Sequence, residues 1–546
     1  MRRDNYKKQM YFVGGGLASL AGAAYLIRDC NVEGETIHIL ESMPILGMPI
    51  LGGSNDGIGT PDQGFVCRGG RMLNKETYEN FWDLFYSIPS LNREGVSVSQ
   101  EILEFDHDHP THANARLINK KGEILDVKNV GFHQEDRRAM LKLLLTSEEK
   151  LDNLKISDWF GSSFFETSFW YLWQTTFAFQ EWSSLFEFRR SMHRMRFEFS
   201  RIGTLEGVTG SPYNQYDSVF LPLKAFLTEH NVDFMLNCTV TDLDFEETDE
   251  ITVTAIHYKG ENGKGMIQLH EGDLCFVTNG CMTDCAALGD YNTPAPFRTE
   301  PPVSGSLWAK LAGKKPLLGN PAPFFGKPEE TNWESFTVTL NGIKLLKKIE
   351  TSSRNITGTG DLMIFKDSGW RMSIVVAAQP HSINQPENQT VFWGYGLYTD
   401  KPGDYVKKPM RECTGKEILI ELLHHLHLEE DLEEILKEVV NVIPCMMPYI
   451  DAQYQPRAMT DRPKVVPDGS VNLAMISQFV EIPGDMVFTE EYSIRAARTA
   501  VYALMGINRP ISPVTHYHRE VRTKLKALTT RHCKKNARRK FINKEL

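Results

Sequence analysis

Residues 10–41, MYFVGGGLASLAGAAYLIRDCNVEGETIHILE, constrain the fold more tightly than any other part of this chain. A short β-branched and aromatic run (11–13) stops at three consecutive glycines, an alanine-rich segment of helical character follows (17–28), and a second alternating run ends on an acid, Glu41. That order predicts strand, tight turn, helix and strand, the opening of a βαβ unit. In such a unit the first glycine makes the turn and the second lets the backbone approach a pyrophosphate. The phosphates rest on the helix N-terminus, and the acid closing the second strand binds ribose hydroxyls. Gly14, Gly16, Ser19 and Glu41 are therefore expected dinucleotide contacts, with Ser19 standing where a third glycine would let helix and strand pack closely. The same run follows Arg2, Arg3, Lys7 and Lys8 and so has the outline of a secretory signal, but the glycine triplet would weaken its helical core.

A second glycine-rich stretch, LGGSNDGIGTPDQGFVCRGGRMLN (51–74), follows the acid and carries Ser54, Asp56, Arg68 and Arg71. Backbone N–H groups and a guanidinium in such loops suit a flavin and its phosphates. Further strand-like runs occur at VDFMLNCTVTDLDF, ITVTAIHYKG, DLCFVTNGCMTD and VNLAMISQFVEIPGD. A helix is predicted at about 490–504, and one amphipathic helix at GKEILIELLHHLHLEEDLEEIL. Between 146 and 201 the chain reads as helical and aromatic, with eleven aromatic residues from Phe164 to Phe188. Strand-rich pieces thus lie at the start, middle and end of 546 residues, a length suited to two or three domains. The predicted class is α/β: a Rossmann-like FAD-binding domain assembled from discontinuous segments (8–145, 226–300 and 441–507). A helical aromatic region (146–225) and an α+β substrate domain (301–440) are inserted, and the C-terminus is helical, ending in a basic tail (508–546).

The charge is −10 overall, yet from His516 onward eleven Lys/Arg face only Glu520 and Glu545. A basic tail on an acidic body suits an anionic surface, read here as membrane rather than nucleic acid. Nine scattered cysteines without a CxxC pair or a zinc spacing point to a reducing compartment, the cytoplasm, and to no metal site.

The stretches GGGLASLAGAAYLI, ILGGSNDG, GFVCRGGRMLN, SRIGTLEGVTGSPYNQYDS, VTNGCMTD, QPHSINQPENQTVFWGYGLYTDKPGDYVKKPM, PYIDAQYQPR and QFVEIPGDMVFTEEYS together resemble the oleate hydratase family, also called myosin-cross-reactive antigens. The likeness runs from about Lys8 to Ile507. It implies a lyase that adds water across the cis double bond of a free unsaturated fatty acid, oleate or linoleate, with bound FAD and no net redox change. Carried over by position, the FAD contacts would be Gly14, Gly16, Ser19, Glu41, Gly53, Ser54, Arg71, Met72, Val240, Asn279, Gly280, Gln478 and Phe479. His381 and Gln379 would meet the substrate, and a homodimer is compatible with the resemblance.

Protonating an unactivated alkene needs an acid at one carbon and a group placing water at the other, within a dry tunnel that fixes the chain. The family's loop glutamate is replaced here by Met72, whose thioether takes no proton. The family's tyrosine acid is placed at Ser191, and the Thr and Asn expected before His381 are Val375 and Ala377. His193, Tyr213 and Tyr216 are the nearby candidates for the chemistry. The rival readings are a flavin-dependent oxidoreductase and a non-catalytic flavin and fatty-acid binding protein. One further oddity is MPILGMPILG (43–52), a tandem duplication between Glu41 and the Gly52-Gly53 pair. It either bulges outward or shifts Gly53 and Ser54 off the flavin.

Overall fold

The computed structural model describes residues 7–46, 58–67, 69, 72–359 and 362–514. The expectations placed on Gly53, Ser54 and Arg71, on the second MPILG copy and on the basic segment 516–546 lie outside the described residues.

Five short strands form a parallel sheet in the order Leu473–Met475, Leu274–Val277, Met10–Val13, Ile37–Leu40, Asp233–Met235. Every residue of Met10–Val13 and Leu274–Val277 is buried, as expected of strands covered on both faces. Helix Leu17–Cys30 covers one side and packs against helix Glu490–Leu504. A Cβ on Gly22 would lie 2.6 Å from Phe12 Cε1, so helix and strand also approach closely one turn after the fully buried Ser19. Sheet strands thus come from the beginning, middle and end of the chain, matching the discontinuous assembly read from the sequence.

A second, mixed sheet has the order Ala287–Leu288, Val439–Met447, Trp333–Asn341, Gln389–Gly396, Ser373–Val375, Leu362–Phe365, Leu117–Ile118. Its strands run antiparallel except for Leu117–Ile118, which lies parallel to Leu362–Phe365. One face, with Phe336, Val338 and Leu340, packs on Ile418 and Leu422 of helix Gly415–His425. The opposite face presents Trp333, Trp393 and Tyr395 toward helix Ser168–Phe177. Val439–Met447 pairs along Trp333–Asn341, so the mixed-sheet unit runs to Met447, past the boundary at 440 read from the sequence. The predicted amphipathic helix is two helices, Gly415–His425 and Leu432–Glu438, because His427 takes a left-handed φ of 56° between them. Helical region 146–201 likewise resolves into short helices, Ser168–Phe177 and Leu185–Arg194, joined by 3₁₀ turns.

Helix Leu185–Arg194 is locked to the loop after the last parallel strand by buried ion pairs. Arg190 meets Glu148 at 3.0 Å and Glu481 at 2.6 Å, Arg457 meets Glu187 and Glu481 at 2.9 Å each, and Arg194 meets Asp485 at 2.9 Å and Glu79 at 2.6 Å. Removing one partner strands the others without water, which typically costs about 3–5 kcal/mol. Arg194→Met is therefore expected to lower unfolding free energy by about that amount, read from the denaturation midpoint. A change below about 1 kcal/mol would contradict this view of the network.

Candidate functional site

A cavity of about 440 Å³ opens at the carboxyl ends of the parallel strands. Gly14, at φ 96°, turns the chain out of its strand, and its N–H reaches Leu40 O at 2.8 Å. The Gly15 N–H donates to Glu41 Oε2 at 2.6 Å, while Glu41 Oε1 accepts from Ser42 Oγ (3.0 Å) and Met43 N (2.9 Å). A Cβ on Gly15 would sit 2.6 Å from Leu46 Cδ2 and 2.9 Å from Glu41 Oε2, so no side chain fits there. The first MPILG copy thus packs against the turn, with Leu46 buried and Met43 on the cavity wall. Helix Leu17–Cys30 starts at Gly16 with no side-chain cap and no acid in its first turn. Its first N–H groups are left for an anion. Arg298 adds a cation to the wall.

Of the expected cofactor contacts, Gly14, Gly16, Glu41, Val240, Gly280 and Gln478 line this cavity. Ser19, Asn279 and Phe479 are fully buried behind it. Asn279 braces two turns, donating to Phe479 O at 3.1 Å and accepting from Ser477 Oγ at 2.7 Å. Met72 lines a different cavity.

That second cavity, about 50 Å³, lies between the mixed sheet and the aromatic helices, with Met72, Thr176, Trp333, Val375, Trp393 and Tyr395 in its wall. The two cavities meet at the start of helix Glu490–Leu504, where Thr489 lines one and Glu490 the other. Strand Gly64–Val66 and Cys67 dock on the sheet, with Phe65 N donating to Thr339 Oγ1 (3.0 Å) and Cys67 N to Thr337 Oγ1 (2.7 Å). A Cβ on Gly69 would lie 4.0 Å from the Trp393 ring. The indole N–H groups of Trp333 and Trp393 and the hydroxyl of Ser335 are buried without a hydrogen-bond partner among the described residues. Such groups are costly to bury unless a ligand or water completes them.

Tyr213 and Tyr216 lie beside His381. Asn214 N donates to His381 O at 2.8 Å, its side-chain amide reaches Ser382 Oγ at 3.2 Å, and Ile383 N donates to Asp217 Oδ2 at 2.9 Å. Tyr216 stacks on Phe220, and burial, with Asp217 next to it, raises its pKa. Gln379 corrects an expectation. Its amide donates to Ala377 O and Val391 O and accepts from Gln385 Nε2 and Val391 N, so it braces the loop instead of facing substrate. His381 Nε2 is buried with no partner among the described residues. His193 is buried on helix Leu185–Arg194 and lines neither cavity. Ser191, fully buried on the same helix, also lies off both walls. Gln215 escaped the sequence reading: both its amide atoms are buried without described partners. The only signal was its place within YNQY. Asp404, Glu421 and His425 form a group with metal-ligand spacing, but the Glu421 oxygens already accept from the N–H groups of Asp404, Tyr405 and Val406.

With this geometry in place, the comparisons with known proteins can be read. The model of the MCRA family matches residues 7–502. An oleate hydratase of Streptococcus pyogenes serotype M49 is 38% identical over 531 residues, covering 95% of this chain and 89% of that protein. A linoleate hydratase of Lactiplantibacillus plantarum is 36% identical over 565 residues, covering 95% of this chain and 98% of that protein. Among solved structures, cyclohexylamine oxidase from Brevibacterium oxydans superimposes with a TM-score of 0.54 at 11% identity, over 92% of this chain and 99% of its own. That likeness is one of fold.

Burial depresses the His381 pKa to about 4, so the ring is neutral at pH 7. A folded-state value below the unfolded value near 6.5 means the unfolded chain takes up the proton first on acidification. The His381 contribution is therefore complete above about pH 6.5 and is lost as pH falls toward 4, on the order of 2–3 kcal/mol over that interval. His381→Gln is expected to flatten the fall in melting temperature between pH 7 and 4.5. An unchanged slope would show that His381 already titrates normally.

Proposed function

The chain belongs to the MCRA family, and we propose that it adds water across the cis double bond of free unsaturated fatty acids, oleate to 10-hydroxystearate and linoleate likewise, while holding FAD. The observation carrying this reading is an aromatic pocket on the mixed sheet next to a dinucleotide-type cradle, with Thr489 lining one and Glu490 the other. The chain leaving the dinucleotide-type cradle docks on the mixed sheet and brings Met72 into an aromatic, largely apolar pocket. The names of the two hydratase relatives support the same chemistry.

The cradle fits FAD: its glycine turn excludes side chains, its helix start is uncapped, and Glu41 holds the second strand's end. Gly14, Gly16, Glu41, Val240, Gly280 and Gln478 would hold the cofactor. When bound, the flavin supplies a flat polar surface and fixed electrostatics, with no net redox change. The protein's own groups do the rest. Trp333, Trp393 and Val375 exclude water from the alkyl chain and fix its path. Neutral His381, with its free nitrogen buried beside Asn214, is placed to donate a hydrogen bond to the fatty carboxylate. Tyr213 and Tyr216 share that end of the site. In an extended oleate the double bond begins eight bonds further on, about 10 Å by ordinary bond lengths. With His381 on the carboxylate, neither tyrosine is at the alkene, and strand Ser373–Val375 leads from His381 toward the Met72 cavity.

Incubating FAD-loaded protein with oleate in H₂¹⁸O is expected to give a hydroxystearate carrying the heavy oxygen, identified by mass spectrometry. A dehydrogenated product with stoichiometric flavin reduction would replace this reading with an oxidoreductase. Retained flavin and lipid without product would replace it with a binding protein. The proposal includes a cytoplasmic protein whose basic segment 516–546 meets anionic bilayers, where its substrate partitions. Deleting that segment should abolish co-sedimentation with phosphatidylserine vesicles at low salt, and undiminished co-sedimentation would remove the membrane part.

A further inference from the structure

Arg116 is 1% exposed, and no carboxylate lies within ion-pairing distance of it among the described residues. Its guanidinium spends three N–H groups on neutral oxygens: Leu362 O at 2.8 Å, Thr176 Oγ1 at 3.0 Å and Ile202 O at 3.3 Å. Buried charges are normally paired, because an isolated cation in a low-dielectric interior is costly. Two of these acceptors belong to residues in the wall of the Met72 cavity, Thr176 and Leu362. The next wall group is the phenol of Tyr395, which donates to Thr175 O at 2.7 Å. Guanidinium and phenol therefore bracket the same dipeptide, Thr175–Thr176, at the end of helix Ser168–Phe177.

Tyr395 is the central residue of a polar row on the mixed sheet. Register places Ser335 directly opposite it on one neighbouring strand and Ser373 on the other. Directly opposed residues of adjacent strands share a face, with Cβ atoms about 5 Å apart. The Ser335 hydroxyl is buried without a hydrogen-bond partner among the described residues, and the Ser373 hydroxyl lies close enough to the Tyr395 phenol to lower its pKa. The cavity beside this row has room for a water, which needs only about 10–15 Å³. The phenol sits between the rings of Trp333 (4.8 Å) and Trp393 (5.7 Å).

Resting on the hydratase reading above, we propose that Tyr395 is the proton donor to the alkene, that Arg116 is the positioning cation stabilising its phenolate, and that the Ser335–Ser373 row holds the attacking water. Met72 carries no titratable group and Ser191 lies off the cavity wall, so the acid is assigned to the wall phenol of Tyr395, with Ser335 and Ser373 flanking it on the sheet just behind the wall. Rotation of the phenolic O–H away from Thr175 O delivers the proton without moving the ring. The alkene π pair forms the new C–H bond, the water oxygen forms the C–O bond at the other carbon, and the water's surplus proton returns through the serine hydroxyls to the phenolate. Substrate plus one water equals product, and the tyrosine is regenerated. The charged and titratable groups facing Tyr395 are Arg116, from the chain before Leu117–Ile118, and Asp451, from the loop after Val439–Met447; the polar neighbours are Ser373 and the Thr175 carbonyl. Burial raises the phenol's pKa above the ordinary tyrosine value, which weakens it as an acid, so proton donation depends on the nearby guanidinium to stabilise the phenolate. Asp451 adds to the rise, while Ser373, Arg116 and the Thr175 contact oppose it.

Tyr395→Phe, Arg116→Gln and Arg116→Lys are to be assayed beside the wild type for flavin content, oleate affinity and the pH profile of kcat/KM. Tyr395→Phe is expected to lose at least 100-fold in kcat with flavin content and oleate affinity within threefold of wild type. Arg116→Gln should lower kcat about tenfold or more and steepen its dependence on pH, and Arg116→Lys should recover most of that loss. Turnover by Tyr395→Phe near the wild-type rate overturns the assignment. So does a loss of activity matched by loss of oleate or flavin binding, which would make the residue a wall only. Equal damage from Arg116→Gln and Arg116→Lys overturns the role given to the cation. A wild type that binds flavin and oleate yet yields no hydroxy acid overturns the hydratase reading itself, and with it this assignment.

Discussion

The hydrogen bond from Gly15 N–H to the Glu41 carboxylate is the contact on which the arrangement of the cradle depends. It ties the glycine turn after the first strand to the end of the second, so that turn, helix start and acid form one rigid lip. The geometry admits no Cβ at Gly15, and Leu46 seals the outer side. Glu41 is doubly engaged, accepting from Ser42 and Met43 on its other oxygen. Met43 and Leu46 of the first pentapeptide copy are thereby part of the lip.

From that lip the chain passes to a sheet of a different kind. The parallel sheet positions a cofactor at its carboxyl edge, the usual ligand position in open α/β sheets. The mixed sheet offers a floor of indoles, a phenol and serine hydroxyls. Arg190, Arg194 and Arg457 tie helix Leu185–Arg194 to the loop after the last parallel strand through Glu187, Glu481 and Asp485. Buried ion pairs of this kind contribute little net stability compared with apolar packing, but they penalise any arrangement that separates them. The same penalty applies to Arg116, which lacks a carboxylate and relies on carbonyls and a threonine hydroxyl next to the cavity.

Much of the parallel sheet was legible because glycine punctuation and apolar runs are local signals. Strand Met10–Val13, helix Leu17–Cys30 and helix Glu490–Leu504 fall where the pattern placed them. The split at His427 was not legible, since the apolar spacing continues across a residue whose left-handed backbone is set by the packing of both flanking helices. The approach of Gly22 to Phe12 was not legible because helix tilt is a tertiary quantity, while Ser19 is fully buried beside Thr278. Gly14, Gly16, Glu41, Val240, Gly280 and Gln478 were singled out by motif or resemblance and line one cavity. Arg116 and Tyr395 were not, for they are separated by 279 positions and meet only through sheet register and the end of one helix. Gln379 looked available in sequence and is consumed by its own loop.

The glycine cradle and the aromatic pocket are separate cavities, and under the proposed function the fatty carboxylate sits at His381 and the double bond over Tyr395. The most direct measurement is a crystal structure of the protein with FAD and oleate bound. The account predicts density for the C9–C10 bond between Met72, Trp393 and Tyr395, with the carboxylate within hydrogen-bond distance of His381 Nε2. A fatty chain whose double bond lies outside that pocket, or whose carboxylate points away from His381, would contradict it.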